Sequence, residues 1–439
     1  MKYYKRKGFI CHIRFYELLA FLLFTSLLYN CSKEDSQDPL IEIVEPSSFL
    51  TISAGDSIYL EVNVSDDNYL DQVSIQLLDE NQVSVSPSLV YHPNNKRFHI
   101  SILYPVSNIY LESGTYLLGI FAFDGKNTSR KAVELRIEAI PLERKKVYAL
   151  NANASSLTLY SLDTAQVYST VTTVTGDFLA SSIDSRNERI SILGRSDADY
   201  SILDANNGNL LYQISGLCPI ASPCFEYLQF QEGLNFISYN DGNIKAFDSN
   251  GLQKFAIQQQ GYFRPGASYL SEEYFFAELY YIAQQELRLG TFFYPSGAIR
   301  QEFVLDLKIL QIFNRAQDEI YLFGHSSGNA VVETFNRQFN RTFPLRNFGA
   351  MIIYSVYEFS ANNFYLCTNQ GIWNFNALQN QITQIQINPA QEIKYDPVYN
   401  EFFVAEQNKV RVIDASSFQE KKVYQLPDSV QSILLFYNK

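Results

Sequence analysis

Apolar and polar residues alternate in short segments between residues 41 and 140, and turn-forming residues separate these segments. Alternation with a period of two is typical of antiparallel strands that bury one face. The pattern predicts strands at residues 41–44, 57–64, 72–78, 98–103, 114–123 and 132–137. We therefore predict an all-β fold that begins with a small β-sandwich over residues 40–140.

A repeated unit follows, from residue 145 to residue 439. In each unit one apolar strand finishes on an aromatic or aliphatic residue, usually followed by Asp or Asn. These strands end at residues 163, 204, 248, 294, 336, 376 and 414, so successive ends lie 38 to 46 residues apart. Seven units of this length, with four strands each, predict a seven-bladed β-propeller over residues 145–439.

The two ends of this repeat region complement each other. The first unit starts at Lys146 without an innermost strand, whereas residues 429–437 (SVQSILLFY) form a spare strand at the C-terminus. Placing the spare strand in the first blade would pair an otherwise open sheet edge. The sequence therefore predicts a propeller closed by its C-terminal strand; an open sandwich or a β-solenoid of similar composition is the alternative.

The N-terminus has the pattern of an export signal. Residues 2–14 are basic, residues 15–29 are apolar, and the apolar run stops at Leu-Tyr-Asn-Cys, which ends at Cys31. An apolar run of this length is short for a membrane span and typical of a signal peptide. The alternative is a signal anchor with an incidental cysteine.

Cys31 and its surroundings resemble a lipoprotein signal, and the polar stretch that follows (CSKED) is similar to the surface-export tether of Bacteroidetes lipoproteins. This resemblance implies a signal peptide over residues 1–30, lipidation of Cys31 and an acidic tether over residues 31–39. It also implies an outer-membrane lipoprotein held by its lipid, at the cell surface or on the periplasmic face.

Both predicted domains resemble known families. Residues 64–68 (VSDDN) and 114–127 (GTYLLGIFAFDGKN) are similar to the turn and strand motifs of bacterial immunoglobulin-like modules. The ends of three repeat strands, at residues 160–164 (YSLDT), 201–205 (SILDA) and 245–249 (KAFDS), resemble quinoprotein/YVTN-like propellers. The first resemblance implies a spacer or adhesive role for the sandwich.

Composition excludes one class of partner. The chain carries 34 Lys and Arg against 46 Asp and Glu, a formal net charge of −12, and residues 1–30 hold five of the cations and one of the acids. The mature chain would therefore carry 29 cations and 45 acids, a charge of −16. Phosphate-backbone binding needs clustered Lys and Arg, so no nucleic acid partner is expected.

Three cysteines remain after removal of the signal and lipidation of Cys31. Cys218 and Cys224 flank a short loop, and we predict a disulfide between them, which suits an oxidising envelope compartment. Two unpaired thiols are the alternative, and metal ligation is disfavoured because no His lies nearby. Cys367 lies in an apolar strand and is predicted to be a buried thiol.

No motif in the chain predicts catalysis, a metal or a cofactor. His325 is the one His of the repeat region, and we interpret it as a surface side chain in a turn. The acids Asp66, Asp67, Asp71 and Asp124 could hold calcium but are interpreted as turn residues.

A few other side chains could take part in binding or catalysis. Glu272 and Glu273 are likewise interpreted as solvated turn residues. Aromatic side chains that could stack on sugars, if exposed, are Tyr280, Tyr281, Phe292, Phe293, Tyr294 and Trp373.

These observations favour a non-enzymatic, lipid-anchored envelope protein in which the sandwich is a spacer and the propeller binds a protein or glycan partner. A scaffold subunit of an envelope assembly is a related hypothesis. The alternative from another class is a propeller enzyme of nutrient acquisition, a polysaccharide lyase or hydrolase. Fold resemblance does not choose among them, because propellers host many unrelated functions.

Overall fold

The computed structural model describes residues 37–153, 156–163, 165, 167–196, 199–214, 223–258 and 262–439. Within them every regular element is a β-strand, so the fold is all-β as predicted. The chain divides into two compact units, the first ending at Pro141 and the second beginning at Leu142.

The first unit consists of two sheets. Its strands are β1 (Leu40–Glu45), β2 (Leu50–Ser53), β3 (Ser57–Leu70), β4 (Gln72–Leu78), β5 (Leu89–Tyr91), β6 (Asn95–Pro105), β7 (Gly114–Phe123) and β8 (Thr128–Glu138). One sheet has the order β1-β3-β6 and the other β2-β8-β7-β4-β5. The two sheets share one apolar core. The short strands β2 and β5 were not predicted from the sequence.

Alternation along β3 explains how the first unit is packed. Ile58, Leu60 and Val62 are at most 1% exposed, while the residues between them face outward or are half-buried. These side chains pack with Ile75 of β4 and Ile120 of β7, in the other sheet. One face of each sheet is therefore removed from water, which is the main stabilising contribution in such a unit.

The predicted turn at residues 64–68 is wrong in detail. β3 continues through this stretch, and its register with β6 shifts between Ser65 and Leu70. Asp66 accepts a hydrogen bond from the Asn68 N–H at 2.8 Å, which stabilises this bulged segment. Asp124 likewise accepts hydrogen bonds from the backbone N–H groups of Lys126 and Asn127, both at 2.6 Å. These acids thus bond to local backbone.

The second unit contains the remaining strands. They are β9 (Arg144–Ala152), β10 (Ser156–Leu162), β11 (Tyr168–Thr175), β12 (Ala180–Asp184), β13 (Arg189–Leu193), β14 (Tyr200–Asp204), β15 (Leu210–Ile214), β16 (Phe225–Gln231), β17 (Leu234–Tyr239), β18 (Asn243–Phe247), β19 (Gln253–Gln258), β20 (Phe263–Ser271), β21 (Tyr274–Tyr281), β22 (Glu286–Phe293), β23 (Ile299–Leu305), β24 (Lys308–Ala316), β25 (Glu319–Ser326), β26 (Asn329–Asn336), β27 (Arg341–Gly349), β28 (Ile353–Ser360), β29 (Asn363–Thr368), β30 (Gly371–Asn376), β31 (Gln381–Gln386), β32 (Glu392–Asp396), β33 (Glu401–Glu406), β34 (Lys409–Asp414), β35 (Glu420–Gln425) and β36 (Ser429–Tyr437).

These strands form four-stranded antiparallel sheets, seven of them within the described residues. Six sheets use four consecutive strands, and the remaining one has the order β11-β10-β9-β36, so the C-terminal strand pairs with β9. We call β12, β16, β20, β24, β28, β32 and β36 the inner strands. Each inner strand contacts the inner strand of the next sheet, and β36 contacts both β32 and β12. The unit has a propeller-like fold.

Aromatic side chains fill the space between adjacent sheets. Phe275 of the fourth sheet stacks on Phe236 of the third at 5.1 Å between ring centroids and contacts Phe255 at 5.2 Å. Phe323 of the fifth sheet and Phe364 of the sixth contact each other with tilted rings, at 4.9 Å between centroids. The high Phe and Tyr content is therefore explained by packing between sheets, where large rings bury the most apolar area.

The Asp or Asn that marks six of the seven repeats stabilises a turn. Asp248 accepts hydrogen bonds from the N–H groups of Asn250 and Leu252, both at 2.9 Å. Side chains at the equivalent end of the strand bond to backbone in the same way at Asp163, Asp204, Asn336, Asn376 and Asp414. An Asx side chain satisfies the N–H groups of the turn after its strand. The repeat signature is thus structural.

Side chains reinforce the junction between the first and last sheets. Arg144 of β9 forms ion pairs with Asp396 and Glu401, and its guanidinium lies 4.4 Å from the Tyr399 ring. The Asp396 side chain is fully buried and also accepts a hydrogen bond from the Tyr437 hydroxyl of β36 at 3.2 Å. A buried carboxylate needs such partners, because losing one leaves a charge without solvent or counter-ion.

We expect Arg144→Ala to lower the free energy of unfolding by about 3 kcal/mol, because it leaves the buried Asp396 carboxylate without its cation. Lys145→Ala is the matched control. Its ion pair with Glu188 is exposed, with side chains 37% and 41% accessible, so its loss should be below about 1 kcal/mol. Urea denaturation followed by circular dichroism measures both. Equal, small losses would contradict the assigned role of Arg144.

Candidate functional site

A cavity of about 500 Å³ lies where β16, β20 and β24 begin. Its walls carry five charged side chains that are far apart in sequence: Arg195, Glu226, Arg264, Glu278 and Lys308. Polar groups that converge in a concave site of this size are typical of a ligand-binding pocket.

Backbone hydrogen bonds fix the position of Arg195 at the rim of the cavity. This residue follows β13, and its N–H donates to the Asp177 carboxylate at 2.8 Å. Its carbonyl oxygen accepts from the Cys224 N–H at 2.7 Å, which ties the segment after β13 to the start of β16. Arg195 is therefore an exposed residue on a well-anchored segment.

Arg264 and Lys308 come from the first residues of two inner strands. Arg264 is paired with Tyr280 across β20 and β21. Lys308 begins β24, and its carbonyl oxygen lies against Gly324 of β25, where any Cβ would overlap that oxygen. Glycine at position 324 thus permits the close approach that sets Lys308 at the cavity wall.

Glu278 is a carboxylate buried within β21, with only 3% of the residue exposed. It faces a bulge in β20 between Pro265 and Ser268, and a Cβ at Gly266 would collide with its carboxylate. The backbone N–H of Ile309 donates a hydrogen bond to Glu278. Burial raises the pKa of Glu278 to about 7, against the lowering effects of the Ile309 N–H and the Lys308 charge.

Two tyrosines complete the polar wall, Tyr227 on β16 and Tyr280 on β21. Tyr227 also lines a second cavity of about 540 Å³, which lies between the inner strands. An ion pair between Glu392 and Lys394, at 3.0 Å, lies in the wall of this second cavity. The wall is also rich in tyrosine: Tyr354, Tyr357, Tyr395 and Tyr437. The first cavity therefore adjoins the central space of the unit.

The first cavity has an excess of positive charge. Among the described residues, none forms an ion pair with Arg195, Arg264 or Lys308. The Nε of Arg264 is buried and has no hydrogen-bond partner in the described part of the chain. A buried N–H donor without a partner is costly, so this arrangement favours an anionic group in the cavity.

The predicted modification sites fall largely outside the described residues. Cys31 and Cys218 both lie outside them, so lipidation of Cys31 and the Cys218–Cys224 disulfide stay predictions. Cys224 itself is 7% exposed, at the start of β16. The prediction for Cys367 is confirmed: its free thiol is fully buried, and burial raises the thiol pKa to about 12.

His325 differs from the sequence interpretation. It lies within β25 and is half-buried, and its Nε2 accepts a hydrogen bond from the Ile353 N–H at 3.4 Å. Burial lowers the pKa of this imidazole, which favours its neutral form. Glu272 and Glu273 are exposed turn residues, as predicted. None of these three residues lines the charged cavity.

The candidate aromatic side chains lie in different environments. Tyr280 lines the charged cavity, while the Tyr281 hydroxyl donates to Glu302 at 2.5 Å. Phe292 is fully buried and Phe293 is 42% exposed. Tyr294 and Trp373 pack against core clusters. These side chains do not form one exposed platform.

Sequence reasoning missed the five charged residues of the cavity. They are brought together by the contacts between inner strands, which no local pattern reports. One signal was available: Glu278 is the single charged residue in YFFAELYY, the sequence of β21. An acid inside a strand that is otherwise apolar and aromatic is a candidate functional residue, because its burial is costly.

In the described part of the chain, no group of three His, Cys, Asp or Glu residues could hold a metal ion. No helix in that part is long and apolar enough to cross a membrane.

Glu278 predicts a pH dependence of stability. The pKa of Glu278 in the folded chain is about 7, above the ordinary value of 4.5. Its stabilising contribution to the free energy of unfolding is therefore fully present below about pH 4.5 and is lost as pH rises through 7. Relative to Glu278→Gln, the free energy of unfolding of the native chain should fall by up to about 3 kcal/mol over this pH range. Unfolding midpoints of both proteins measured across this range test it. Parallel curves would contradict a raised pKa.

Comparisons with known proteins gave structural similarity only. No protein-family profile matches the chain, and no curated protein matches it. The computationally designed Ika8 protein is 10% identical, with 66% of this chain and 89% of that chain covered and a TM-score of 0.43. Apo AztD from Citrobacter koseri is 12% identical, with 73% and 95% covered and a TM-score of 0.42. A quinoprotein alcohol dehydrogenase-like protein from Bacteroides thetaiotaomicron is 10% identical, with 91% and 97% covered and a TM-score of 0.40.

Proposed function

We propose that this chain is a lipid-anchored cell-envelope protein that binds a protein or glycan partner through a seven-bladed β-propeller. Lipid on Cys31 holds it at the outer membrane, facing the cell surface or the periplasm. An immunoglobulin-like sandwich acts as the spacer, and the propeller is closed by its C-terminal strand. The observation that carries the binding role is the cavity formed by Arg195, Arg264 and Lys308.

Strand pairing supports the closed propeller. The register of β36 with β9 extends from Ser429 opposite Ala152 to Tyr437 opposite Arg144. The inner strands contact one another in a continuous cycle through β36. Pairing the last strand with the first sheet gives that sheet an inner strand like those of the other six, and a ring of sheets leaves only short, protected strand edges.

The immunoglobulin-like assignment is supported by the two-sheet core of the first unit and its mostly antiparallel pairing. β2 departs from the antiparallel pattern, because it pairs in parallel with β8. The envelope location rests on the basic and apolar pattern of the N-terminus and on the acidic stretch after Cys31.

Catalysis by a polysaccharide lyase or hydrolase is the second candidate, and Glu278 is the observation that favours it. A carboxyl whose pKa is about 7 can exchange a proton near neutral pH. However, Glu278 is almost fully buried and accepts a hydrogen bond from the Ile309 N–H, so its contact with a substrate is restricted. A binding function does not require Glu278 to contact a substrate, whereas catalysis does, so binding is the function that we propose first.

Two measurements on the full anchored chain separate these functions. The first is a pull-down from gently crosslinked cells, and the second is a glycan array probed with the detergent-solubilised chain. We expect one of them to yield a partner. Array signal without protein partners would make the chain a glycan-capture lipoprotein. Stoichiometric envelope subunits with a blank array would make it an assembly component. Chain shortening or unsaturation of a bound glycan would instead establish the enzyme.

Lipidation gives a direct prediction. We expect the native chain to incorporate a clickable fatty acid and to sediment with membranes, whereas Cys31→Ala should lose both properties. Ser32→Ala, a neighbouring substitution that keeps the thiol, should behave like the native chain. Fatty-acid labelling that persists in Cys31→Ala would place the anchor elsewhere, and a mature N-terminus upstream of Cys31 would remove the lipoprotein proposal.

A further inference from the structure

We infer that the cavity at the start of β16, β20 and β24 binds an acidic saccharide, with Arg195, Arg264 and Lys308 receiving its carboxylate or sulfate group. This inference rests on the proposed binding function and specifies its ligand class. It depends on the charge, the unpartnered donors and the size of the cavity.

The charge of the cavity differs in sign from that of the whole chain. The chain as a whole carries a formal net charge of −12, so its average surface repels anions. The cavity reverses this balance, because three cations face Glu226 and the buried Glu278. A local concentration of positive charge in a concave, partly desolvated site attracts an anion more strongly than the same charges in open solvent.

The hydrogen-bond donors of the cavity are not all satisfied within the described residues. The Arg264 Nε is buried without a hydrogen-bond partner among the described residues, whereas Arg315, on the inner strand β24, forms an ion pair with Glu319 at 2.6 Å. A guanidinium presents several N–H donors in a fixed plane that matches a carboxylate or sulfate. A bound oxyanion would supply the acceptors that the protein does not.

Size and wall chemistry select a saccharide among the possible anions. An inorganic ion would fill only a small part of about 500 Å³. Tyr227 and Tyr280 contribute aromatic side chains to the walls, and aromatic side chains suit contact with a sugar ring. The adjoining cavity between the inner strands provides space for a second ring.

Glu278 makes this site sensitive to pH. The groups around its carboxyl are Glu226 and Tyr227 of β16, Lys308 of β24 and the Ile309 N–H, while β20 contributes the uncharged Gly266. Protonation of Glu278 removes one negative charge beside the cations. Affinity for an anion should therefore rise as pH falls through neutrality, and Glu278→Gln should hold the high affinity at all these pH values.

Titration calorimetry with the full chain in detergent tests the inference. The probes are glucuronate, glucose 6-sulfate, neutral glucose and inorganic sulfate. We expect both acidic sugars to bind at least about tenfold more tightly than glucose, and Arg264→Gln and Lys308→Gln each to weaken them about tenfold or more, since charged hydrogen bonds are lost. Lys409→Gln, the same change at an exposed lysine outside the cavity, should alter affinity less than about twofold.

Several results would overturn the inference. Equal affinity for glucose and the acidic sugars would remove the anion requirement, and inorganic sulfate binding as tightly as the sugars would remove the saccharide. Anion binding that is unchanged in Lys308→Gln, a substitution at an exposed residue, would place the site elsewhere. If neutral glycans or protein partners are captured instead, the proposed binding function stands and this ligand class fails.

Discussion

The backbone hydrogen bonds between β36 and β9 are the constraint on which the arrangement of the second unit depends. They join position 152 to position 429 and position 144 to position 437, so the sheet is complete only after almost the whole unit has been made. Contacts this distant in sequence are slow to form. Once formed, they bring β36 between β12 and β32 and leave the inner strands in mutual contact. The buried Asp396, held by Arg144 and Tyr437, adds side-chain pairing at the same junction.

The charged cavity is a consequence of that arrangement. Three inner strands begin at the same place, so residues near positions 226, 264 and 308 become neighbours even though each belongs to a different sheet. The sheets themselves are held by aromatic packing and by Asx-stabilised turns that recur in most repeats. Because those features carry the stability, individual inner strands can differ at their starts. A rigid scaffold with variable residues at one end is a common basis for binding sites.

The repeat and most strands were predictable because each depends on local patterns. The repeat strands end within one residue of their predicted positions, as at Asp204, Asn336 and Asp414, since Asp and Asn are needed to satisfy the turn that follows. The short strands β2 and β5 were missed because they contain too few residues to show alternation. The bulge in β3 was missed because VSDDN has the composition of a turn, and only pairing with β6 extends the strand. The cavity could not be predicted, since its residues meet only through contacts between sheets.

Glu278 shows how far the local structure departs from what stability alone would favour. A carboxyl in the interior of YFFAELYY could be replaced by an apolar residue with a gain in burial energy. The surrounding structure is instead adapted to it: β20 bulges, position 266 is a glycine, and the Ile309 N–H faces the carboxyl. Packing does not explain why three local features accommodate the buried Glu278 carboxyl at a cost in stability. Such local costs in stability are concentrated at functional sites. The cations beside Glu278 lack ion-pair partners among the described residues, and the anionic ligand proposed above would complete this charge balance.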